Sequence, residues 1–259
     1  MDIRKALLVL KLTEKSSLND LNLSFRKLAK RYHPDFNRGK EKWAHTKMTE
    51  LNLAYEVALK YFTSPREYDE TRETEAWTFF RYFNMVKNVI LHGIYIYYQY
   101  GLENVHQRRE GVRRIRYYDA LRYVRKGIHS LEKTQQTLTD SVKLEWCRTL
   151  LDFSRAFLQI MVNQRFFQPT SSGYENNSYS HFKNGSEQLD YALKEAFFGD
   201  LLLRIRNGSY YKHLSNCYEE FMLVITQYPK SSWVADTVHK IYIIELFTKL
   251  IRIFKELRH

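Results

Sequence analysis

Apolar side chains recur at steps of three and four residues along most of the chain, which is the spacing that lines one face of an α-helix. Two such runs lie near the N-terminus. The first has Leu21, Phe25, Leu28 and Tyr32 on one face, and the second has Met48, Leu51, Tyr55, Ala58 and Phe62. Similar runs follow as far as the C-terminal residues. The pattern therefore predicts an all-α fold.

The first run has a clear start and a clear end. Ser17 and Asp20 have the spacing of a capping box, in which each side chain bonds the backbone N–H of the other residue. Pro34 cannot donate a backbone hydrogen bond and disfavours helical dihedrals at His33, so the helix should end near Tyr32. Four cations share the face opposite the apolar one: Arg26, Lys27, Lys30 and Arg31. We call these four residues the basic face.

His33, Pro34 and Asp35 then form an exposed corner between two antiparallel helices. Residues 24–37 read SFRKLAKRYHPDFN and residues 51–57 read LNLAYEV, while Leu10 and Leu12 supply apolar positions upstream. These segments resemble, in order and spacing, the J-domain of co-chaperones that act on DnaK-type heat-shock chaperones. The resemblance covers about residues 1–70, so we predict a J-domain at residues 1–69 and a second helical domain at residues 70–259.

The segment departs from the family pattern at several positions. Ala6 and Leu7 stand where the family usually has an aromatic pair, Lys11 replaces a glycine, and Met48 replaces a phenylalanine. Methionine fills cores tolerantly, so the last change should cost little. The family's short fourth helix is reduced to residues 64–69.

The resemblance implies a function exerted on another protein's catalysis. It implies that the basic face docks on an acidic surface of the chaperone, and that Asp35 accepts charge-assisted hydrogen bonds from a chaperone arginine. Pro34 would fix the corner, His33 would hold Asp35 in position, and Asn37 completes the signature. The expected outcome is faster ATP hydrolysis by the chaperone and capture of a client.

Residues 70–259 carry further helical patterns. Dense aromatics between Trp77 and Tyr97 are typical of a core, although aromatics also form base-stacking platforms. Residues 168–188 are rich in Ser, Asn and Gly and predict a long surface loop, which we expect to be mobile. Residues 214–248 resemble one tetratricopeptide-type helix pair, with Cys217, Phe221 and Pro229 at characteristic places; a generic helical bundle is an equal alternative.

A net charge of +12 raises the question of nucleic-acid binding. The densest basic segment, which we call the arginine tract, contains Arg108, Arg109, Arg113, Arg114, Arg116, Arg122, Arg125 and Lys126. A solvated helix face is the simplest interpretation of the tract. Its first five arginines are also candidates for binding phosphates or an acidic partner. Nucleic acid is therefore an alternative partner for this segment.

The chain shows no catalytic or metal-binding pattern. Its two cysteines, Cys147 and Cys217, lie far apart and its nine histidines are scattered, so we expect no metal, no cofactor and no enzyme activity of its own. No apolar stretch reaches the ~18 residues of a membrane span. We therefore expect a cytoplasmic J-domain co-chaperone whose residues 70–259 bind a client or a targeting partner. The alternatives are a helical-repeat scaffold with an inactive J-like domain and a nucleic-acid-associated helical protein.

Overall fold

The computed structural model describes residues 1–14, 16–37, 39–63, 75–163, 165, 167–202 and 210–256, without the side chains of residues 35, 75–78 and 200–202. Within these ranges there are nine α-helices and no β-strand, which confirms the all-α prediction. The helices are α1 (Ile3–Val9), α2 (Leu18–Tyr32), α3 (Glu41–Thr63), α4 (Glu75–Gln99), α5 (Gly111–Gln135), α6 (Ser141–Asn163), α7 (Gly173–Leu202), α8 (Tyr210–Gln227) and α9 (Val234–Glu256).

The chain divides into two compact units, residues 1–88 and residues 89–259. The predicted domain boundary at residues 69 and 70 lies in a segment, residues 64–74, outside the described residues. The expected remnant of a fourth helix at residues 64–69 lies there too. Both therefore stay predictions.

The first unit has a small core formed by α1, α2 and α3. Its fully buried residues include Ala6, Leu10, Leu21, Leu51 and Ala54. Met48, Tyr55 and Phe62 pack against this core while staying partly exposed. The capping box at Ser17 is present in full, and α2 ends at Tyr32 as Pro34 predicts. The predicted helical hairpin is thus confirmed.

The second unit is built on close approaches between helices. At Gly127 of α5, an added Cβ would lie 2.2 Å from Cγ1 of Ile90 in α4, and at Gly93 it would lie 2.8 Å from the carbonyl oxygen of Ala120. Only glycine allows α4 and α5 to come this near. Ile90, Tyr97 and other apolar residues in the part of α4 that belongs to this unit are buried, which agrees with a core role for its aromatics.

The predicted loop at residues 168–188 is wrong for most of its length, because α7 begins at Gly173. Its small residues serve helix packing instead. Ser178 is completely buried, and a Cβ at Gly185 would lie 2.5 Å from Cε1 of Phe221 in α8. Gly185, one of the residues that signal a loop in sequence, is here what lets α7 lie close against α8.

The C-terminal helices α8 and α9 are joined by a short turn at residues 228–233. Cys217 and Phe221 of α8 are fully buried, as the tetratricopeptide resemblance requires. The same burial suits a generic bundle, so the resemblance stays a prediction. Ile243, Phe247 and Leu250 of α9 are buried, whereas Lys249, Arg252 and Lys255 are exposed. Helix α9 therefore closes the core of its unit.

His92 should make the second unit sensitive to acid. The ring is 5% exposed, and its Nδ1 has no hydrogen-bond partner among the described residues. Burial, helped by the Arg116 charge, lowers the pKa of His92 to about 4, against about 6.5 for an unfolded chain. Between these values only the unfolded chain takes up the proton, so stability should fall as the pH drops from about 6.5 to about 4, by on the order of 3 kcal/mol.

Urea unfolding measured across this pH range tests the expectation, with His92→Leu as the variant. The variant should lose most of the pH dependence in this window, because it removes the proton-binding group. His129→Leu is the matched control, since His129 lies exposed on α5. If the free energy of unfolding of His92→Leu depended on pH as in the wild type, the acid sensitivity would belong to other groups.

Candidate functional site

The basic face lies open to solvent on α2. Arg26, Lys27, Lys30 and Arg31 are all exposed, while Leu21 and Leu28 on the opposite side of the helix are buried. The structure thus brings together the four cations that the sequence grouped. Four like charges on two helical turns produce a positive field directed away from the core, which attracts an acidic surface.

Helix α2 is fixed to its neighbours on both sides. Ser24 donates its hydroxyl hydrogen to the carbonyl oxygen of Leu10, just after α1. Tyr55 of α3 donates its hydroxyl hydrogen to Oδ1 of the buried Asn22, at 2.7 Å. Phe25 and Tyr55 also pack ring against ring, with centroids 4.4 Å apart. The basic face is therefore presented by a braced helix.

The corner after α2 is a single 3-10 turn, Pro34–Phe36. Asn37 holds the corner against the end of α2: its Nδ2 donates to the carbonyl oxygens of Arg31 and His33, both at 2.9 Å. These carbonyls belong to the end of α2, where helical acceptors have no partner within the helix. Asn37 thus has a specific structural role that the sequence motif alone did not explain.

The other corner residues are placed as follows. His33 is exposed, and its ring faces that of Phe36 edge-on at 6.2 Å. The side chain of Asp35 lies outside the described part of the chain, so its expected support by His33 stays a prediction. Phe36 is 69% exposed. Sequence reasoning missed Phe36, although an apolar residue inside a charged turn is the signal that marks it.

Arg108 does not belong to a binding surface, contrary to the sequence prediction. It is 9% exposed, and its guanidinium donates to the carbonyl oxygen of Leu102, to that of Met161 at 2.8 Å, and to the hydroxyl of Tyr97 at 2.8 Å. It also lies over the ring of Tyr117, 5.0 Å from the centroid. Arg108 therefore anchors the segment after α4 to α6. A spacing-based analysis could not separate it from its exposed neighbour.

The rest of the arginine tract is exposed along α5 and just before it. Arg109, Arg113 and Arg114 are exposed, while Arg116 and Arg122 both pair with Asp119, at 3.3 and 2.9 Å. Val112, Ile115 and Tyr118 are more than half exposed among these cations. The binding of phosphates, nucleic acid or an acidic partner by this surface stays a prediction.

The described residues contain no group of three or more His, Cys, Asp or Glu side chains arranged to hold a metal ion. Cys147 and Cys217 are free and buried, and burial raises the pKa of Cys147 to about 11 and that of Cys217 to about 12. In the described ranges, every helix is too short or too polar to cross a membrane.

Comparison with known proteins gives matches to the N-terminal part of the chain. The sequence model of the DnaJ domain matches residues 8–69. A protein named Chaperone protein DnaJ, from Lactobacillus gasseri, is 49% identical over 49 residues, which are 19% of this chain and 12% of that protein. The chain therefore matches only a small part of this relative's length. No solved structure gives a significant match.

Proposed function

Because residues 8–69 of this chain are a J-domain, we propose that the protein is a co-chaperone that stimulates ATP hydrolysis by a DnaK-type heat-shock chaperone. The observation that carries the proposal is the exposed basic face of α2, braced beside a corner with the sequence His33-Pro34-Asp35. The basic face docks on an acidic chaperone surface, and Asp35 bonds a chaperone arginine.

Stimulation requires that the J-domain favour one conformation of the chaperone, because a partner shifts an equilibrium only by binding its states unequally. The protein itself carries out no bond-making step in this scheme. Residues 70–259 form the second domain and bind a client or a targeting partner. A cytoplasmic location is part of the proposal, and the two free buried thiols are compatible with a reducing compartment.

Reversing two charges on the basic face should weaken the action on the chaperone. The variant Lys27→Glu/Arg31→Glu changes exposed positions only, so the fold should persist. Electrostatic steering changes association rates by tenfold or more, so half-maximal stimulation should need about ten times more variant than wild type at low salt. The difference should shrink as salt is added, since salt screens exposed charges.

The measurement is single-turnover ATP hydrolysis by the chaperone over a series of salt concentrations. Lys5→Glu/Lys60→Glu is the matched control, because it gives the same change in net charge at exposed positions of α1 and α3. Equal loss in both double variants would point to net charge instead of the basic face. If the folded wild type gives no stimulation, the alternative of a helical scaffold with an inactive J-like domain replaces the proposal.

A further inference from the structure

A cleft of about 690 Å³ opens in the second unit between α6, α7, α9 and the residues that follow α4. Its volume lies within the ~300–1,000 Å³ typical of ligand sites. One wall is aromatic. Phe167 stacks on Tyr179 with centroids 3.7 Å apart, and Trp233 lies 4.9 Å from both Tyr179 and Phe182. Such a wall binds flat or apolar groups.

Lys240 of α9 extends into this cleft. The residue is 92% buried, and its ammonium lies 5.6 Å from the centroid of the Phe182 ring. Two carboxylates act on it electrostatically, but each is already engaged: Asp236 pairs with Arg165, and Asp190 accepts a hydrogen bond from Tyr98 at 2.9 Å. Among the described residues, none forms an ion pair or a hydrogen bond with this ammonium.

Glu103 supplies a second unsatisfied group at the cleft. Its Oε1 pairs with Lys194 at 2.7 Å, whereas its Oε2 is buried without a hydrogen-bond partner among the described residues. The cleft lining thus contains an ammonium without an ion pair and a carboxylate oxygen that lacks a donor and is closed to solvent. A peptide with an acidic side chain supplies both missing partners. Its backbone N–H can donate to the Glu103 carboxylate, and its side-chain carboxylate can accept from the Lys240 ammonium.

Burying an ammonium without a partner is costly, and burial does lower the pKa of Lys240. The missing ion pair makes the site selective for carboxylates, because a ligand carboxylate can form a charge-assisted hydrogen bond with the Lys240 ammonium. We propose that this cleft binds a peptide segment in which an acidic residue adjoins an aromatic or large aliphatic one. The carboxylate contacts Lys240, the apolar side chain lies on the Trp233 and Phe182 wall, and the Glu103 carboxylate turns toward the cleft to accept from a backbone N–H.

The assignment of this peptide to a client or targeting partner rests on the proposed function, but the binding itself does not. Calorimetry with the full chain and no chaperone tests the binding alone. The probes are the peptide acetyl-Ala-Phe-Glu-Ala-amide, its Glu-to-Gln counterpart, and 3-phenylpropanoate. Absent ATPase stimulation together with peptide binding would reject the co-chaperone proposal and leave this inference standing.

The acidic peptide should bind wild-type protein at least about tenfold more tightly than the neutral peptide, the usual effect of a charge-assisted hydrogen bond. Lys240→Met should abolish that preference. Lys183→Met is the matched control, because Lys183 also lines the cleft but is largely exposed; it should keep the preference within about twofold.

Equal affinity of wild-type protein for the two peptides, or no binding of either, would overturn the proposal whatever the variants do. Binding of 3-phenylpropanoate without the peptide would overturn the peptide assignment and show a site for small carboxylic acids. A preference that survives in Lys240→Met would also contradict it, since the carboxylate would then contact another group.

Discussion

Asp35→Asn is expected to weaken strongly the stimulation of ATP hydrolysis by a DnaK-type chaperone while leaving the helical hairpin folded. The change keeps the shape of the side chain and removes its charge. If Asp35 bonds a chaperone arginine, the loss leaves that cation without its partner. Breaking one half of a buried charge pair costs about 2–5 kcal/mol, so the variant should need at least about thirtyfold more protein for the same stimulation.

The fold should survive because the corner is held by other groups. Phe36 N–H donates to the carbonyl oxygen of His33 at 3.1 Å, and Asn37 N–H donates to that of Pro34 at 2.9 Å. The amide side chain of Asn37 adds its two bonds to the end of α2. None of these bonds uses the Asp35 carboxylate, so circular dichroism and the unfolding midpoint should match the wild type.

Single-turnover hydrolysis with both proteins is the measurement. Glu56→Gln is the matched control, because it removes one carboxylate charge at an exposed position of α3 in the same unit. It should stimulate like the wild type. Full stimulation by a folded Asp35→Asn variant would show that ATP hydrolysis is stimulated without the Asp35 carboxylate. The basic face would then be the sole determinant.

The helical hairpin of the first unit could be predicted from sequence because its determinants are local. The capping residue Ser17, the break at Pro34 and the apolar steps of α2 and α3 each act within a few residues of one another. The same local signals were misleading in α7, where small polar residues indicated a loop. Gly185 is required by the ring of Phe221, which lies 36 residues away in sequence. No spacing rule expresses such a contact.

The cleft in the second unit was missed for a related reason. Lys240, Phe182, Trp233 and Glu103 come from two helices and two connecting segments, and no motif links them. Lys240 also lies on an amphipathic helix where a lysine normally faces solvent. Only its burial without an anion distinguishes it from the exposed cations of α9, and burial is a property of the folded chain.

Arg108→Met should lower the free energy of unfolding of the second unit by about 2–4 kcal/mol. The variant removes the charged donor of the carbonyl oxygens of Leu102 and Met161 in a buried environment, and the Met161 oxygen keeps only the Tyr117 hydroxyl, at 2.9 Å, among its side-chain donors. A loss of this size is a large share of the ~5–15 kcal/mol that stabilises a typical protein. The measurement is urea unfolding followed by circular dichroism.

Arg109→Met is the matched control, because the neighbouring arginine is exposed and carries the same charge. Its effect should stay within about 0.5 kcal/mol, as for most surface substitutions. Similar small effects in both variants would contradict the structural role of Arg108. If the two variants differ in stability as expected, a loss of partner binding in an Arg108 variant reflects unfolding of the second unit. A binding role of the arginine tract must then be tested at Arg113 and Arg114, where charge can be reversed without disturbing the core.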